Sequence, residues 1–419
     1  MESAKEISIY VHIPFCVRKC NYCDFLSFNV GKELTEKYFE ALKNETLLEA
    51  EALLGKKEAV VCNVPGDSGH IVRSIFFGGG TPSFVDADKI CDVLKAIRSS
   101  FAVAKDAEIS IEVNPASAMY EKLTAYRRAG FNRISIGAQS LNDRELAVLG
   151  RAHDSAMFYE TFENARRAGF DNINVDVMSA LPGQSLLSYR STLEKVALLS
   201  PEHISAYSLI IEEGTPFYDM ELDLPDEDLD REMYHETKRL LGEAGYHRYE
   251  ISNYALEGRE CYHNKVYWRR GNYLGLGLGA SSMVDNVRWS NTRKLDRYVE
   301  ILCGKGREAM EGLNGLHVDV EPLSAKAQME EFMFLGLRLV EGVDVAKFRQ
   351  EFGQDLWQVY GEVIDKYVGM GLLEYARGTG PTALLPGIED GSSEGTAAFL
   401  RLTDTGMDVS NTVMAEFLL

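Results

Sequence analysis

Three cysteines within eight residues constrain this chain more than any other feature. Cys16-Val-Arg-Lys-Cys20-Asn-Tyr-Cys23 has the spacing C-x3-C-x2-C and follows directly on an apolar, β-branched run, Ile7 to Ile13. Three thiolates can hold three irons of a cubane 4Fe–4S cluster and leave the fourth iron open, whereas an electron-transfer cluster uses four cysteines. A structural zinc site wants four protein ligands, often on paired C-x2-C arms, and no second arm follows here. The competing reading is a buried or zinc-binding thiol group. Spacing and context favour a cluster with an iron open to a ligand.

The other cysteines, Cys62, Cys91, Cys261 and Cys303, are scattered without paired spacing, which fits a reducing cytoplasm. Cys261 stands two residues before His263 and reads as a plain thiol. The 419 residues are enough for a barrel and an appended domain. The net charge of −20, from 44 basic and 64 acidic residues, argues against nonspecific nucleic-acid binding. No apolar run reaches the ~18 residues of a membrane-spanning helix. Met1 to Glu6 lacks the basic and apolar regions of a signal peptide.

From Glu33 to Ala244 apolar strands alternate with amphipathic helices. Expected helices are Glu33–Leu54, Asp86–Phe101, Ala118–Ala129, Ser155–Ala168, Leu186–Leu199 and Asp226–Ala244. Expected strands are Ile7–Ile13, Ser74–Phe77, Glu108–Val113, Arg133–Gly137, Asn172–Val177 and Ile204–Ile211. Gly130 and Gly169 close two of the helices. Such alternation means parallel strands with crossover helices. Polar residues stand at the C-terminal ends of successive strands: the cysteines, Gly78 to Thr81, Glu112, Gln139 and Asp176. A barrel builds its site on that rim, whereas a doubly wound sheet gathers it at one switch point. The reading is therefore α/β: a partial (β/α)6 barrel over residues 1–245.

Residues 246–314 read as a barrel extension, with a strand at Tyr249–Ala255 and the run His263-Asn264-Lys-Val-Tyr267-Trp268. Gly275-Leu-Gly-Leu-Gly279 does not open a helix, so tight turns with close backbone approach are expected there rather than a dinucleotide loop. Residues 315–419 read as a small α+β, winged-helix-like domain. Its expected parts are helices at Ala325–Val340, Val345–Phe352 and Leu356–Met370 and a hairpin of Leu372–Tyr375 with Phe399–Leu402. Pro65–Gly69 and Gly378–Gly395 read as loops.

The run Tyr10-Val-His-Ile-Pro-Phe-Cys16, with Gly78-Gly-Gly-Thr-Pro82, Ile111-Glu-Val-Asn-Pro115, Gly137-Ala-Gln-Ser-Leu-Asn142 and Gly150-Arg-Ala-His153, resembles the oxygen-independent coproporphyrinogen III oxidase (HemN-like) family of radical S-adenosylmethionine (SAM) enzymes. The likeness extends over nearly the whole chain. It implies a 4Fe–4S cluster on Cys16, Cys20 and Cys23, with SAM on the open iron. It also implies SAM contacts from Tyr10, Tyr22, Gly79, Gly80, Thr81, Glu112, Gln139, Arg151 and Asp176. Phe15, Tyr22 and Phe25 can shield the cluster. Glycines 78 to 80 have no side chains to block a ligand at the backbone, and an arginine fork suits a carboxylate. The competing reading of Glu112 and Asp176 is structural, as ion-pair partners of Arg133 and Arg151.

Three departures from the oxidase pattern stand out. Asp24-Phe25 follows Cys23 where the oxidase carries a further cysteine, and only nine residues precede Tyr10 where the oxidase has a long segment. The third is H-N-x-x-Y-W at 263–268, which matches the HemW subgroup, regarded as heme chaperones. The subgroup implies heme as a bound group, with His263 as its candidate axial ligand. Its implied partners are heme-accepting proteins, respiratory ones among them, together with peripheral membrane contact and a homodimer. The competing readings are oxidative decarboxylation of coproporphyrinogen III, or another radical reaction on a tetrapyrrole.

Overall fold

The computed structural model describes residues 5–53, 70–304, 312–378 and 397–419. The loops expected at Pro65–Gly69 and within Gly378–Gly395 lie outside the described residues, apart from Gly378 itself.

The chain opens with β1 (Lys5–Ile13) and α1 (Lys32–Leu53), followed by β2 (His70–Gly79), α2 (Ala87–Ser100), β3 (Val103–Val113) and α3 (Tyr120–Ala129). Then come β4 (Arg133–Gln139), the short α4 (Asp143–Val148), α5 (Ser155–Arg167), β5 (Ile173–Ser179), α6 (Leu186–Leu198), β6 (His203–Ser208) and α7 (Glu227–Glu243). Asp154, Ser185 and Asp226 cap α5, α6 and α7 by accepting backbone N–H bonds. Gly130 ends α3 in the left-handed conformation, φ 107°. Helix α4 was not expected from the sequence. It is one and a half turns long, and its start signal is the cap of Asn142 on the Arg144 N–H at 3.1 Å.

Strands β1 to β6 are parallel neighbours in chain order, with no reversal among them. A doubly wound sheet would reverse its strand order among its parallel strands, and these six do not. Right-handed crossovers of one sense place the helices on one face, where α1 packs on α2, α2 on α3, α3 on α5 and α6 on α7. Every second strand residue, among them Ile9, Val11, Ile75, Phe77, Ile111, Ile136 and Val175, is buried in the core with these helices. The alternate positions carry Ser8, Tyr10, His12, Ser74, Ser110, Glu112, Ser135, Asn174, Asp176 and Ser205, so the inner face is polar. The architecture is the partial (β/α)6 barrel expected from the sequence.

Beyond this array come β7 (His247–Arg248), β8 (Asn253–Ala255), α8 (Tyr262–Trp268), β9 (Tyr273–Leu276), β10 (Ser281–Val284), β11 (Val287–Asn291), α9 (Leu295–Cys303), α10 (Leu313–Leu316) and β12 (His317–Pro322). The strand expected over Tyr249–Ala255 is broken in two. Buried Glu250 takes bonds from the Ser252 N–H (2.9 Å) and Asn253 Nδ2 (2.5 Å), which turns the chain between β7 and β8. β9 pairs in parallel with β1, and β10 and β11 fold back antiparallel. The glycine run makes the close approach expected of it. A Cβ on Gly277 (φ 100°) would lie 2.6 Å from Tyr38 Oη. Its N–H donates to the fully buried carboxylate of Glu45, 2.8 Å away, which also accepts from Asn291 and Tyr298. That carboxylate fastens α1 to the turn after β9.

The chain divides into two compact units. One is Met1–His247, Tyr254–His263 and Asn272–Glu321; the other is Arg248–Asn253, Asn264–Gly271 and Pro322–Leu419. The second unit holds α11 (Ala325–Gly336), α12 (Val345–Phe352), α13 (Leu356–Gly369) and a three-stranded sheet in the order β13 (Val343–Asp344), β15 (Ala397–Leu402), β14 (Leu373–Gly378). Two short helices, α14 (Asp404–Asp408) and α15 (Ser410–Ala415), follow and were not expected. Helices with an antiparallel hairpin agree with a winged-helix-like domain. Arg270 joins it by ion pairs to Glu331 (3.3 Å) and Glu351 (2.6 Å). Among the described residues no helix is long and apolar enough to cross a membrane.

Candidate cofactor site at the barrel rim

The cysteine loop leaves the C-terminal end of β1 and is held to the rim by backbone bonds. Cys16 N donates to Phe28 O (3.1 Å) and Phe28 N to Pro14 O (2.8 Å), which close the loop on itself. Gly80 N donates to Ile13 O (2.9 Å) and Thr81 N to Phe15 O (2.8 Å), which tie it to the end of β2. Asn21 binds the end of α4 through Leu149 O (3.0 Å) and Val148 O (2.9 Å). Phe15 is buried edge-on against Tyr38, ring centres 5.2 Å apart. Val17, Arg18 and Lys19 are exposed, while the three thiols are half-buried.

Each thiol has its own surroundings. Cys16 Sγ lies 3.3 Å from Thr81 Oγ1. Cys20 Sγ accepts from Arg151 Nη1 at 3.7 Å. Burial, with the other two cysteines beside it, pushes the Cys23 thiol up to about 11. Among the described residues no three His, Cys, Asp or Glu side chains converge on one metal-ion position.

The glycines at the end of β2 make room for the protein's own groups. A Cβ on Gly79 (φ 109°) would lie 2.5 Å from the His12 ring, and one on Gly80 would lie 2.8 Å from Phe15 O. Gly78 abuts Glu112, whose carboxyl would be 3.1 Å from an added Cβ. Glycine is thus required first by packing. The sequence suggested only ligand access.

Glu112 Oε2 accepts the Gly79 N–H at 3.3 Å. Burial, then the charge of Asp176, pushes its carboxyl up to about 8. Asp176 is raised by burial too, against bonds from Asn174 (2.7 Å) and Ser135 (3.3 Å). Gln139 ends β4 with φ 66°, at a register shift against β5, a type of irregularity common beside functional sites. An added Cβ on Gly137 would be 2.9 Å from Gln139 Nε2, 3.3 Å from Arg151 Nη2 and 4.0 Å from Asp176 Oδ2, so these three side chains meet there. Arg151 Nη2 donates to Gly137 O (2.8 Å), and its buried Nε has no hydrogen-bond partner among the described residues. Burial drives Tyr22 upward despite the nearby Arg151 guanidinium. The ion-pair alternative fails for Arg133, which bonds Asn172 and the Arg259 carbonyl instead.

The sequence reading did not single out Tyr207 or Asn174. Tyr207 Oη donates to Gln139 Oε1 at 3.1 Å, and Asn174 joins His203 (2.6 Å), Ser135 (2.8 Å) and Asp176. The available signal was the period-two alternation of polar residues along β5 and β6.

His263 has a different neighbourhood from the one expected of a heme ligand. It is 2% exposed and lies inside the barrel wall. Its Nδ1 is 2.8 Å from Ser74 Oγ, and its ring stacks on Phe76 at 5.2 Å. Burial lowers it to about 3, so it is neutral. Trp268, in the other unit, lies under the Arg338 guanidinium at 4.2 Å.

The Radical SAM superfamily model matches residues 10–196, and the HemN C-terminal domain model matches residues 323–378. A heme chaperone HemW from Lactococcus lactis is 33% identical over 420 residues, with 99% of this chain and 98% of that one covered. The chain belongs to the HemW family. The Escherichia coli heme chaperone HemW is 37% identical to this HemW-family chain over 279 residues, 66% of this chain and 70% of that one. Among solved structures, coproporphyrinogen III oxidase (HemN) from Escherichia coli matches with a TM-score of 0.77 over 99% of this chain and 90% of that one. At 22% identity that likeness shows a common fold.

A radical SAM family implies a 4Fe–4S cluster and SAM, and the rim of this HemW-family chain fits both. Three free, half-buried thiols on one short rim loop suit a cluster. The unpartnered Nε of Arg151 and the sparsely bonded carboxyl of Glu112 leave hydrogen-bonding capacity for a polar ligand.

Proposed function

We propose that this chain binds heme and passes it to acceptor proteins, using a rim that carries a SAM-ligated 4Fe–4S cluster. The observation that carries this reading is the near end-to-end match to a protein named heme chaperone HemW. Cys16, Cys20 and Cys23 would hold the cluster. Tyr10, Tyr22, Gly79, Gly80, Thr81, Glu112, Gln139, Arg151 and Asp176 would surround SAM. When bound, the cluster supplies a low-potential electron. The chain's own part is to hold the ligand's charged ends and to shield the site from water with the walls of the barrel. Heme would bind without a committed axial ligand, since His263 is already engaged by Ser74 and Phe76. Respiratory acceptors, a peripheral membrane contact and a homodimer complete the proposal on the family resemblance.

The decarboxylase reading rests on the fold likeness alone and gains nothing from the rim. The test uses reconstituted, full-length protein. We expect a Soret band on adding heme, transfer of that heme to an apo-acceptor, and no protoporphyrinogen from coproporphyrinogen III with SAM and reductant. Failure to bind heme at micromolar concentration sinks the chaperone reading, and product formation installs the oxidase reading.

A further inference from the structure

We propose that Thr81 and Arg151 are positioning residues that set the reduction potential of the cluster, each as a hydrogen-bond donor to one thiolate sulfur. The proposal deepens the cluster reading of Cys16, Cys20 and Cys23 and rests on it.

Two of the three thiols have a donor from elsewhere in the fold. Thr81 Oγ1 is 3.3 Å from Cys16 Sγ, and Arg151 Nη1 is 3.7 Å from Cys20 Sγ. The thiolate is the form that ligates a metal, and it has no proton to give. The Thr81 hydroxyl is then the donor to Cys16, whichever way the bond runs in the free thiol. A guanidinium stays charged and only donates, so Arg151 sets a fixed positive charge beside Cys20.

Neither donor depends on its sulfur for its place. The Thr81 N–H donates to Phe15 O at 2.8 Å, and the Thr81 carbonyl accepts the Phe84 N–H at 2.9 Å. Lys122, on α3, clamps the turn that follows by donating to the carbonyls of Ser83 (2.6 Å) and Val85 (2.9 Å). Arg151 Nη2 is tied to Gly137 O at 2.8 Å, and the Arg151 carbonyl accepts from Arg18. A Cβ on Gly137 would stand 3.3 Å from that Nη2, so the glycine leaves the guanidinium its room.

Both donors act on the electron. Reduction adds a negative charge to the cluster and its sulfurs. An O–H dipole and a guanidinium stabilise the reduced form more than the oxidised one, which raises the potential. The two effects are unequal, because a charged donor bonds more strongly than a neutral one and its field reaches beyond the one sulfur. A cluster so poised takes up an electron more readily and yields it to a ligand less readily.

The experiment reads the midpoint of the cluster in reconstituted, full-length protein, by EPR-monitored titration with dithionite and mediator dyes. SAM is left out, so contacts with that ligand do not enter. Thr81→Val keeps the side chain's shape and loses the donor, whereas Thr81→Ser keeps the donor. Arg151→Met removes the charge, and Arg151→Lys retains it. Thr81→Val should lower the equilibrium constant for reduction severalfold. Arg151→Met should lower it by about tenfold or more, where tenfold is about 59 mV for a one-electron couple. Thr81→Ser should stay at the wild-type midpoint, and Arg151→Lys should lose less than Arg151→Met. If Arg151→Met does not fold, Arg151→Gln serves under the same criterion. Full iron content with a wild-type midpoint in the Thr81→Val and charge-free Arg151 variants overturns the proposal. So does a Thr81→Ser midpoint as low as that of Thr81→Val, since packing would then set the value. A wild-type protein that takes up no cluster instead removes the cluster reading beneath it.

Discussion

His263 and Ser74 face each other across 2.8 Å inside the barrel wall. Ser74 gives its own proton to Ser8, 2.7 Å away, so its oxygen accepts from the Nδ1–H of His263. The first residue of the H-N-x-x-Y-W run therefore ties α8 to β2 and, through Phe76, underlies Tyr10. His263→Ala removes a buried ring and leaves Ser74 without its donor. The expected cost is about 2–4 kcal/mol, read as a lower midpoint in chemical unfolding. An unchanged midpoint with a lost or shifted Soret band would return His263 to the role of heme ligand.

Glu108, on the inner face of β3, caps the start of α8. Its two oxygens accept from the backbone N–H groups of Tyr262 and His263, each at 3.1 Å, and from the Cys261 thiol at 3.5 Å. Glu108→Ala should destabilise by about 1–2 kcal/mol, the range for loss of a helix cap. Glu108→Gln, which keeps one acceptor oxygen, should cost less. Equal losses would show that the cap contributes through charge alone.

Stability of the ligand-free protein should fall as pH rises through the range set by Glu112. Its carboxyl moves from an ordinary value of 4.5 up to about 8 on folding. Between those values the folded chain keeps a proton that the unfolded chain releases, so the favourable contribution is full below 4.5 and gone above 8. Glu112→Gln removes this dependence. Its thermal midpoint relative to wild type should therefore rise between pH 5 and pH 8.5, by roughly a few degrees. A constant difference across that range would contradict the assigned burial of charge.

Iron content should separate the cysteines cleanly. Alanine at Cys16, Cys20 or Cys23 should abolish the cluster absorption of reconstituted protein. Alanine at Cys91, beside the Ala125 carbonyl, or at Cys303, beside Asn44, should leave it unchanged. A full cluster in any of the first three variants would refute the assignment.

Local chemistry made much of this molecule readable from its residues. Period-two runs such as Ile7–Ile13 and Arg133–Gln139 set strand phase, and their polar members predicted the rim before any contact was known. Capping residues such as Asp226 and closing glycines such as Gly130 marked helix ends because they satisfy orphan backbone groups within a few residues. The cysteine spacing could be read for the same reason, since all three ligands lie on one short loop.

Tertiary structure decided what depends on distant partners. Arg151 reaches Cys20 across 131 positions, and nothing local to either residue encodes that meeting. Gly79 and Gly80 looked like access for a ligand, yet their missing side chains are filled by His12 and the backbone of Phe15. His263 has aromatic neighbours in sequence, Tyr267 and Trp268, which made it a candidate heme ligand; in space its neighbours are Ser74 and Phe76, from a strand nearly two hundred residues earlier. The strand expected at Tyr249–Ala255 broke because a buried carboxylate, Glu250, needed nearby donors more than the ladder needed length. Sequence fixes backbone preference and the phase of burial, which are short-range. Which buried polar group answers which other is settled only when the sheet brings remote strands together.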